Sequence, residues 1–356
     1  MRLTHEQARQ LIIRTLLRHK LSPPDAEVTA DALVEAELRG RPTHGLMRVT
    51  QVTRACDDVR GEPPAFAKAP ADATASTFAE ATADKSAGKP RLPAGKPALV
   101  TGRGAVACLD GHGHLGYVVC RRAAEEAGRR AERHGFGLVA ARNTRHMGML
   151  GYYVDLLARR GQIGLAFADC RPLVAPFGGI NPVLGTNPIA AAFPWQPHPI
   201  LLDVGTSAAT FGEVLLARGQ GRPLPEGVAL DKDGQPTTDP KRAAEGALLP
   251  WAGHKGYVFG LLAQLLAGAL TQAGGLPTRG DDYGMLILAM RTDLFGDAAG
   301  YEAEVTRLVH AIRASRRRPG VSEILLPGER AYRERDRRLR EGLEISDALY
   351  REIETA

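Results

Sequence analysis

Strand-length apolar runs alternate with segments of helical periodicity through the middle of this 356-residue chain. Short apolar runs bounded by glycine and proline are typical of strands, whereas apolar residues three and four positions apart indicate helices. The alternation predicts a mixed α/β domain. The predicted strands are 105–109, 137–141, 163–168, 189–193, 200–204 and 285–290, and the predicted helices are 117–134, 149–160 and 258–270.

Both ends of the chain have a helical pattern instead. Thr4 opens a possible capping box ahead of apolar residues at helical spacing. A second helix is predicted over 26–39, where Gly40 and Pro42 stop it, and another over 303–315. We therefore expect a helical part from 1–62 and 301–356, an α/β part from 98–300, and a chain that closes back on its beginning.

Residues 63–97 differ in composition from both parts. They are rich in Ala, Pro, Lys, Asp and Thr and contain few large apolar residues, so they cannot bury a core of their own. We predict a partly mobile insertion there. The chain as a whole is 44% hydrophobic and 24% charged, which is ordinary for a globular protein and excludes a disordered one.

The formal net charge of +6 favours anionic ligands such as phosphates and carboxylates. Much of the excess lies in 313–318 and 330–340, where acidic residues are interspersed among or beside the arginines. Mixed charges at helical spacing are typical of a solvated helix face, so no nucleic-acid partner is expected. The sequence shows no membrane span and no signal peptide, which predicts a cytoplasmic protein.

The four cysteines are far apart and include no C-x-x-C pair, so we predict free thiols and no metal site. The segment 111–116, with the letters GHGHLG, matches the G-x-G-x-x-G pattern of a dinucleotide-binding turn and lies between a predicted strand and a predicted helix. Against a Rossmann fold, the next strand ends near Arg142 rather than at an acidic residue for the ribose. A structural turn is the alternative.

Several segments together resemble the malate/L-lactate dehydrogenase family that is unrelated to the Rossmann-fold lactate dehydrogenases. They carry the letters RPTHGLMRV (41–49), NTRHMG (143–148), PFGG (176–179), GTNP (185–188), LDVGTS (202–207), GHKGY (253–257) and LPGER (326–330). The resemblance implies an α+β fold with a discontinuous helical domain from both chain ends and a central domain with a mainly antiparallel sheet. It also implies a homodimer, and it makes 111–116 a structural turn.

Hydride transfer to or from a carbon next to a carboxylate needs a group that exchanges a proton, and a histidine titrates in the right range. His44 and His146 match histidines of the family's active site, with His44 ranked first as proton donor. Thr43 replaces the usual serine, and its hydroxyl can still donate and accept. Arg48 lies four residues after His44, so a helix starting there would put both on one face, with the guanidinium holding the substrate carboxylate.

The resemblance also assigns a cofactor site. Lys255, between Gly253 and Gly256, suits a cation that reaches a cofactor phosphate. The other residues assigned to the cofactor are Asp203, Val204, Gly205, Thr206, Ser207, Pro327, Gly328, Glu329 and Cys170. Thr186 is assigned to the substrate, although Thr186-Asn187-Pro188 could equally be a turn that positions the sheet.

The sequence therefore predicts an enzyme that uses NAD or NADP to interconvert a small 2-hydroxy acid and a 2-oxo acid of the malate or lactate type. The helical part would bind the substrate and form the dimer, and the 98–300 domain would bind the cofactor. Reduction of a cyclic imino acid is the alternative within the family. A non-catalytic protein that binds a dinucleotide or another anion is the alternative from a different class.

Overall fold

The computed structural model describes residues 1–58, 95–277, 280 and 282–356, so nearly all of the predicted 63–97 insertion lies outside the described residues. The helices are α1 (His5–Arg18), α2 (Pro23–Leu38), α3 (Val49–Asp58), α4 (Gly116–His134), α5 (Gly151–Ala158), α6 (Phe211–Gly219), α7 (Pro240–Glu245), α8 (His254–Ala263), α9 (Ala298–Ala314), α10 (Glu329–Glu341) and α11 (Asp347–Thr355). The strands are β1 (Arg2–Leu3), β2 (Ala98–Arg103), β3 (Val106–Asp110), β4 (Phe136–Thr144), β5 (Gln162–Ala168), β6 (Ile189–Phe193), β7 (Ile200–Val204), β8 (Ala229–Leu230), β9 (Ala247–Leu248), β10 (Tyr283–Arg291) and β11 (Leu343–Glu344).

Among the described residues, seven strands form one sheet in the order β2-β3-β4-β10-β5-β6-β7. Its neighbouring strands are antiparallel except for β3 and β4, which are parallel. Helix α4 packs against β4 and β10, and α5 packs against β5 and β6. The expected mainly antiparallel, helix-flanked sheet is confirmed.

The two chain ends pack together, as the expected discontinuous helical domain requires. Strand β1 pairs with β11, with Arg2 opposite Glu344. The Thr15 hydroxyl on α1 donates to the carbonyl of Ile353 on α11 at 3.1 Å. Thr4 caps α1 with the predicted capping box. The domain limits at residues 62 and 301 stay a prediction.

A buried ion pair fastens this helical part to the central domain. Arg39, directly after α2, donates to Asp155 of α5 at 2.6 Å, with side-chain exposures of 1% and 4%. The Tyr332 hydroxyl on α10 donates to the same carboxylate. Three helices that are distant in sequence therefore share one carboxylate.

The 111–116 turn joins β3 to α4 in a parallel β-α-β unit, which is the local setting of a dinucleotide-binding turn. Two of its glycines, however, face the chain's own backbone. A Cβ on Gly111 would lie 2.8 Å from the carbonyl oxygen of Asn143, and one on Gly116 would overlap the carbonyl oxygen of Arg145. The turn thus packs against the 143–145 backbone, and because it lies in a mainly antiparallel sheet rather than a Rossmann sheet, the segment is a structural turn.

Helix α8 begins four residues before the predicted start at 258 and continues as a π-helix over Gln264–Ala269. This places Lys255 in the first turn of α8. Strand β2 was not predicted, and all its residues are exposed, so neither face of it is buried. None of the described helices is both long and apolar enough to cross a membrane.

Candidate active site

The segment that carries His44 and Arg48 follows α2 as two short 3-10 turns, Pro42–His44 and Leu46–Arg48. The expected helix through both residues is wrong. Gly45 breaks it with φ −99° and ψ −134°. The reason is Glu37, whose carboxylate accepts a hydrogen bond from the backbone N–H of Leu46 at 3.0 Å and lies where a Cβ on Gly45 would be. A buried carboxylate therefore sets the geometry of this segment.

His44 and Arg48 nevertheless belong to one site, because Thr43 contacts both. The Thr43 hydroxyl lies 3.1 Å from Nδ1 of His44, and Nε of Arg48 donates to the Thr43 carbonyl at 2.6 Å. Because the hydroxyl can donate or accept, it serves either tautomer, and it occupies Nδ1 so that Nε2 is left for a ligand. The methyl group of Thr43 faces Gly212, where a Cβ would lie 3.3 Å away. A glycine thus accommodates the residue that replaces the family's serine.

His146 reaches the same place from the loop after β4. The 111–116 turn holds that loop, since Gly113 N–H donates to the Asn143 carbonyl at 2.7 Å and Arg145 N–H donates to the His114 carbonyl at 3.2 Å. The rings of His44 and His146 have centroids 6.1 Å apart. The structure therefore brings the two predicted histidines together.

Both histidines are held in the neutral form. Burial, together with the charges of Arg48 and Arg41, lowers the pKa of His44 to about 4. Burial also lowers the pKa of His146 well below its usual value, with further contributions from Arg48, His44 and Arg171. A group that is neutral near pH 7 can accept a proton there. An anion bound beside these arginines would offset their charge and raise both pKa values.

Two further residues of this cluster were missed by sequence reasoning. The first is Tyr117, in the first turn of α4, which is 2% exposed and has its ring 6.2 Å from that of His146. Burial raises its pKa to about 12, so the phenol is neutral. Within the described part of the chain, neither its hydroxyl nor Nε2 of His146 has a hydrogen-bond partner. The only feature of the sequence that could have drawn attention to Tyr117 is its position directly after the 111–116 turn.

The second is Arg171, shortly after β5. Its guanidinium carbon lies 4.7 Å from the centre of the Phe211 ring. The next residue, Gly212, adjoins the other half of the site, because a Cβ there would lie 3.4 Å from Nη2 of Arg48 and 2.9 Å from Cβ of Thr43. The first turn of α6 therefore borders both guanidinium groups. Arg171 directly follows the predicted Cys170, but no pattern in the sequence distinguished it.

A second group of predicted residues assembles beyond β6 and β7. Thr206 N–H donates to the Thr186 carbonyl at 2.9 Å, and Trp251 N–H donates to the Thr206 carbonyl at 3.1 Å. The Thr186 N–H in turn donates to Sγ of Cys170 at 3.3 Å. These bonds place 203–207, Thr186 and Cys170 next to the start of α8. Lys255 is exposed there.

Many of the side chains in this second group bind to the protein itself. The Thr206 hydroxyl donates to the Thr186 carbonyl at 3.1 Å, and the Ser207 hydroxyl donates to the Ala209 carbonyl at 2.6 Å. Asp203 accepts from the backbone of Gly151, and burial raises the pKa of its carboxyl group. The backbone at Gly205 remains accessible to a ligand, because a Cβ on this residue would have no neighbouring atom within 3.5 Å. Val204 is also exposed.

The predicted loop 327–329 meets this group at β7. Leu201 N–H donates to the Pro327 carbonyl at 3.2 Å, and a Cβ on Gly328 would lie 2.8 Å from Cβ of Leu201. The Glu329 carboxylate accepts from Leu326 N–H at 3.0 Å and pairs with Arg333 at 2.6 Å. Because the Glu329 carboxylate is used in these two contacts, the loop would bind a ligand through its backbone groups.

These residues fit a dinucleotide. The start of the ten-residue helix α8 carries a partial positive charge, and an exposed lysine in that turn adds a full charge for a phosphate, although Gly256 N–H already donates to the Trp251 carbonyl at 2.9 Å. The consecutive residues Cys170 and Arg171 connect this group to the histidine cluster. The arrangement can hold an anionic cofactor beside a proton-exchanging, carboxylate-binding site.

Comparison with known proteins identifies the family. Residues 84–354 match the malate/L-lactate dehydrogenase family. L-sulfolactate dehydrogenase of Methanocaldococcus jannaschii is 33% identical over 98% of this chain and 94% of the relative. The sulfolactate dehydrogenase structure from the same organism superposes with a TM-score of 0.81 at 33% identity, covering 99% of this chain and 95% of that chain.

Two other relatives differ in activity. The Δ1-pyrroline-2-carboxylate/Δ1-piperideine-2-carboxylate reductase of Pseudomonas aeruginosa is 30% identical over 99% of this chain and 98% of its own length. The (2R)-3-sulfolactate dehydrogenase (NADP+) of Chromohalobacter salexigens is 33% identical over 92% of this chain and 90% of its own length. Both the hydroxy-acid and the imino-acid chemistries thus occur among the relatives.

Proposed function

The chain belongs to the malate/L-lactate dehydrogenase family of oxidoreductases, and from this premise we propose that it interconverts a small 2-hydroxy acid and its 2-oxo acid by hydride transfer. The observation that carries the proposal is the pair of neutral histidines beside Arg48. Malate-type or lactate-type acids are the proposed substrates. The nicotinamide cofactor that the family implies supplies or accepts the hydride at C2.

Arg48 binds the substrate carboxylate in this proposal. Its Nε is already used by the Thr43 carbonyl and one terminal nitrogen by Gln51, so the remaining terminal nitrogen is available. A charge-assisted hydrogen bond from a fixed guanidinium orients the neighbouring carbon for hydride transfer. Within the described residues, Arg48 forms no ion pair with a protein carboxylate that would compete.

His44 exchanges the proton on the substrate oxygen. In oxidation its neutral form accepts the hydroxyl proton as the hydride leaves, and in reduction the protonated form returns that proton to the oxygen. The Thr43 hydroxyl orients the imidazole from Nδ1. His146 is the alternative donor, because its buried Nε2 has no partner among the described residues. Since the rings lie close together, a charge on one opposes a charge on the other.

We propose that Lys255 and the start of α8 bind the cofactor phosphates, with the backbone at Gly205 and at 327–329 completing the site. Thr186 and Cys170 would line the space between the cofactor and the substrate, since they contact each other beside Arg171. The cofactor is NAD or NADP. The NADP+ in the name of one relative makes NADPH the first cofactor to assay.

Reduction of a cyclic imino acid is a second candidate, because one of the relatives is a reductase of this type. The imine carbon accepts the hydride and lies next to a carboxylate, as the oxo carbon does. Its reduction therefore needs the same position relative to the hydride donor and the same partner for the carboxylate. A non-catalytic anion-binding protein would bind the dinucleotide without turning it over.

One assay tests these candidates. The purified protein is incubated with NADPH or NADH and a panel of 2-oxo acids and cyclic imino acids, and cofactor absorbance is followed. Consumption with an oxo acid supports the proposal, consumption with imino acids only supports the second candidate, and binding without consumption supports the third. No consumption and no binding would contradict all of them.

Variants then test the residues. His44→Ala should lower kcat by about 100- to 10,000-fold, the usual loss for a general acid or base. His310→Ala, an exposed histidine on α9, is the matched control. If His44→Ala and His146→Ala both left turnover intact, the proton-transfer role would be wrong. Lys255→Ala should weaken cofactor binding by about 10-fold, whereas Lys241→Ala, an exposed lysine on α7, should not.

We also propose that the enzyme is a homodimer. Large apolar side chains are exposed along α8 and the π-helix that continues it, with exposures of 57% for Val258, 45% for Phe259 and 53% for Leu265. An apolar face of this kind supports association with a second copy through the 98–300 part, rather than through the helical part to which the sequence prediction assigned the dimer. Light scattering should give twice the chain mass, and Val258→Glu should halve it. Cys108, Cys120 and Cys170 are free thiols, which supports the proposed cytoplasmic location.

A further inference from the structure

Arg171 is a second cation at the substrate end of the site, and the proposed reaction gives it no role. Phe211 and Gly212 are consecutive, and one contacts the Arg171 guanidinium while the other adjoins Nη2 of Arg48. The two guanidinium groups therefore border the same turn of α6. Burial lowers the pKa of Arg48 and the charge of Arg171 lowers it further, and burial together with the same charge also lowers the pKa of His146.

Neither guanidinium is neutralised by the protein. In the part of the chain that the structure describes, Arg48 and Arg171 form no ion pair, and both side chains belong to partly buried residues. Two like charges held close together and out of water are costly unless a ligand compensates them. A single carboxylate, bound by Arg48, would leave one of these charges unpaired.

The position of the Arg171 guanidinium over the Phe211 ring favours one kind of ligand. A guanidinium whose face lies on an aromatic ring keeps its in-plane N–H groups free, and these match the two oxygens of a carboxylate or a sulfonate. The ring also limits the rotamers of a long side chain, so less conformational entropy is lost on binding.

We propose that Arg171 binds a second anionic group of the substrate, so that the preferred substrates are 2-oxo acids that carry a carboxylate or sulfonate on the carbon next to the oxo carbon. This inference rests on the proposed function and deepens it. Arg48 holds the carboxylate at C1, His44 exchanges the proton at the C2 oxygen, and Arg171 holds the anion on C3. A monoanionic acid such as pyruvate satisfies only the first two.

The test compares substrates that differ only in this group. Reduction of oxaloacetate and of 3-sulfopyruvate is measured against reduction of pyruvate and of 2-oxobutyrate, which has an uncharged substituent at C3. We expect kcat/KM to be about 100-fold higher for the dianions, which is the order of effect of one charge-assisted pair, and the difference to lie mainly in KM. The two dianions separate a carboxylate site from a sulfonate site.

Arg171→Met removes the charge and keeps a side chain of similar length on Phe211. It should lower the ratio of kcat/KM for dianion over monoanion by about 100-fold, and Arg171→Lys should restore part of it. Arg307→Met, at an exposed arginine paired with Glu304 on α9, makes the same change in net charge and should leave the ratio as it is. Thermal unfolding checks that each variant is folded.

The outcomes distinguish this inference from the function on which it rests. Turnover of pyruvate as efficient as that of oxaloacetate, or an Arg171→Met variant that loses both equally, would overturn the role of Arg171 and leave the 2-oxo acid reductase intact. Turnover of no 2-oxo acid at all would contradict the proposed function itself.

Discussion

Arginines of helix α10 and arginines of the candidate site have opposite surroundings. On α10, Arg335 pairs with Glu35 at 2.8 Å, Arg337 with Glu341 at 2.6 Å and Arg338 with Glu37 at 3.3 Å. In the site, Arg48 and Arg171 have no such partner among the described residues. The same side chain is therefore matched with carboxylates on α10 and left unmatched where the histidines meet.

The difference shows which charges serve the fold and which await a ligand. A paired arginine has its cost of desolvation offset within the protein, and removing it leaves a carboxylate exposed to the same cost. An unpaired arginine in a partly buried place makes the free protein less stable than it could be. Such a local conflict is expected where a ligand supplies the missing charge.

The largest effect should come from the most deeply buried pair. Arg39→Met removes the partner of Asp155, and we expect the free energy of unfolding to fall by about 3 kcal/mol, because Arg159 and Tyr332 only partly compensate that carboxylate. Urea denaturation measures it. A loss below about 1 kcal/mol would break the distinction between paired and unpaired arginines.

Arg48→Met should instead lower activity and leave stability nearly unchanged. We expect kcat/KM for the 2-oxo acid to fall by about 100-fold, while the free energy of unfolding stays within about 1 kcal/mol, because no carboxylate loses a partner. Steady-state kinetics and urea denaturation on the same sample check both. If Arg48→Met were as destabilising as Arg39→Met, the charge would be structural after all.

Lowering the pH should destabilise the folded protein through the two histidines that lie beside the unpaired arginines. The pKa of His44 falls from 6.5 to about 4 on folding, and that of His146 also falls. The folded protein then binds fewer protons than the unfolded chain below pH 6.5, so unfolding takes up protons and stability declines as the pH falls from 6.5 towards 4. His44→Asn should flatten this decline in thermal unfolding measured against pH. An unchanged slope would show that His44 is not held neutral.

The smallest effect should come from an exposed pair. Arg337→Met breaks ion pairs with Glu334 and Glu341, yet its side chain is 48% exposed. Exposed pairs contribute little, so the free energy of unfolding should change by less than about 0.5 kcal/mol. Activity should be unaffected. A loss comparable to that of Arg39→Met would mean that the α10 charges act as one network.

Local patterns predicted most of the fold. The bounds of β6 and β7 agree with the predicted 189–193 and 200–204, because these short apolar runs are closed by turn residues on both sides. Strand β2 was not predicted, and its residues show no alternation between buried and exposed positions. The helix expected through His44 and Arg48 was wrong because Glu37, a residue of another helix, determines the backbone at Gly45.

The chain's own letters determined six of the seven strands of the main sheet, the motif residues His44, His146, Arg48 and Lys255, and the family. Periodicity and short motifs depend on neighbours in sequence, so one sequence is enough to show them. Only the tertiary structure decided that Tyr117 and Arg171 join the histidines, and that Arg171 has no carboxylate among the described residues. Those facts depend on which parts of the chain the folded sheet brings together, and no local pattern encodes such an approach.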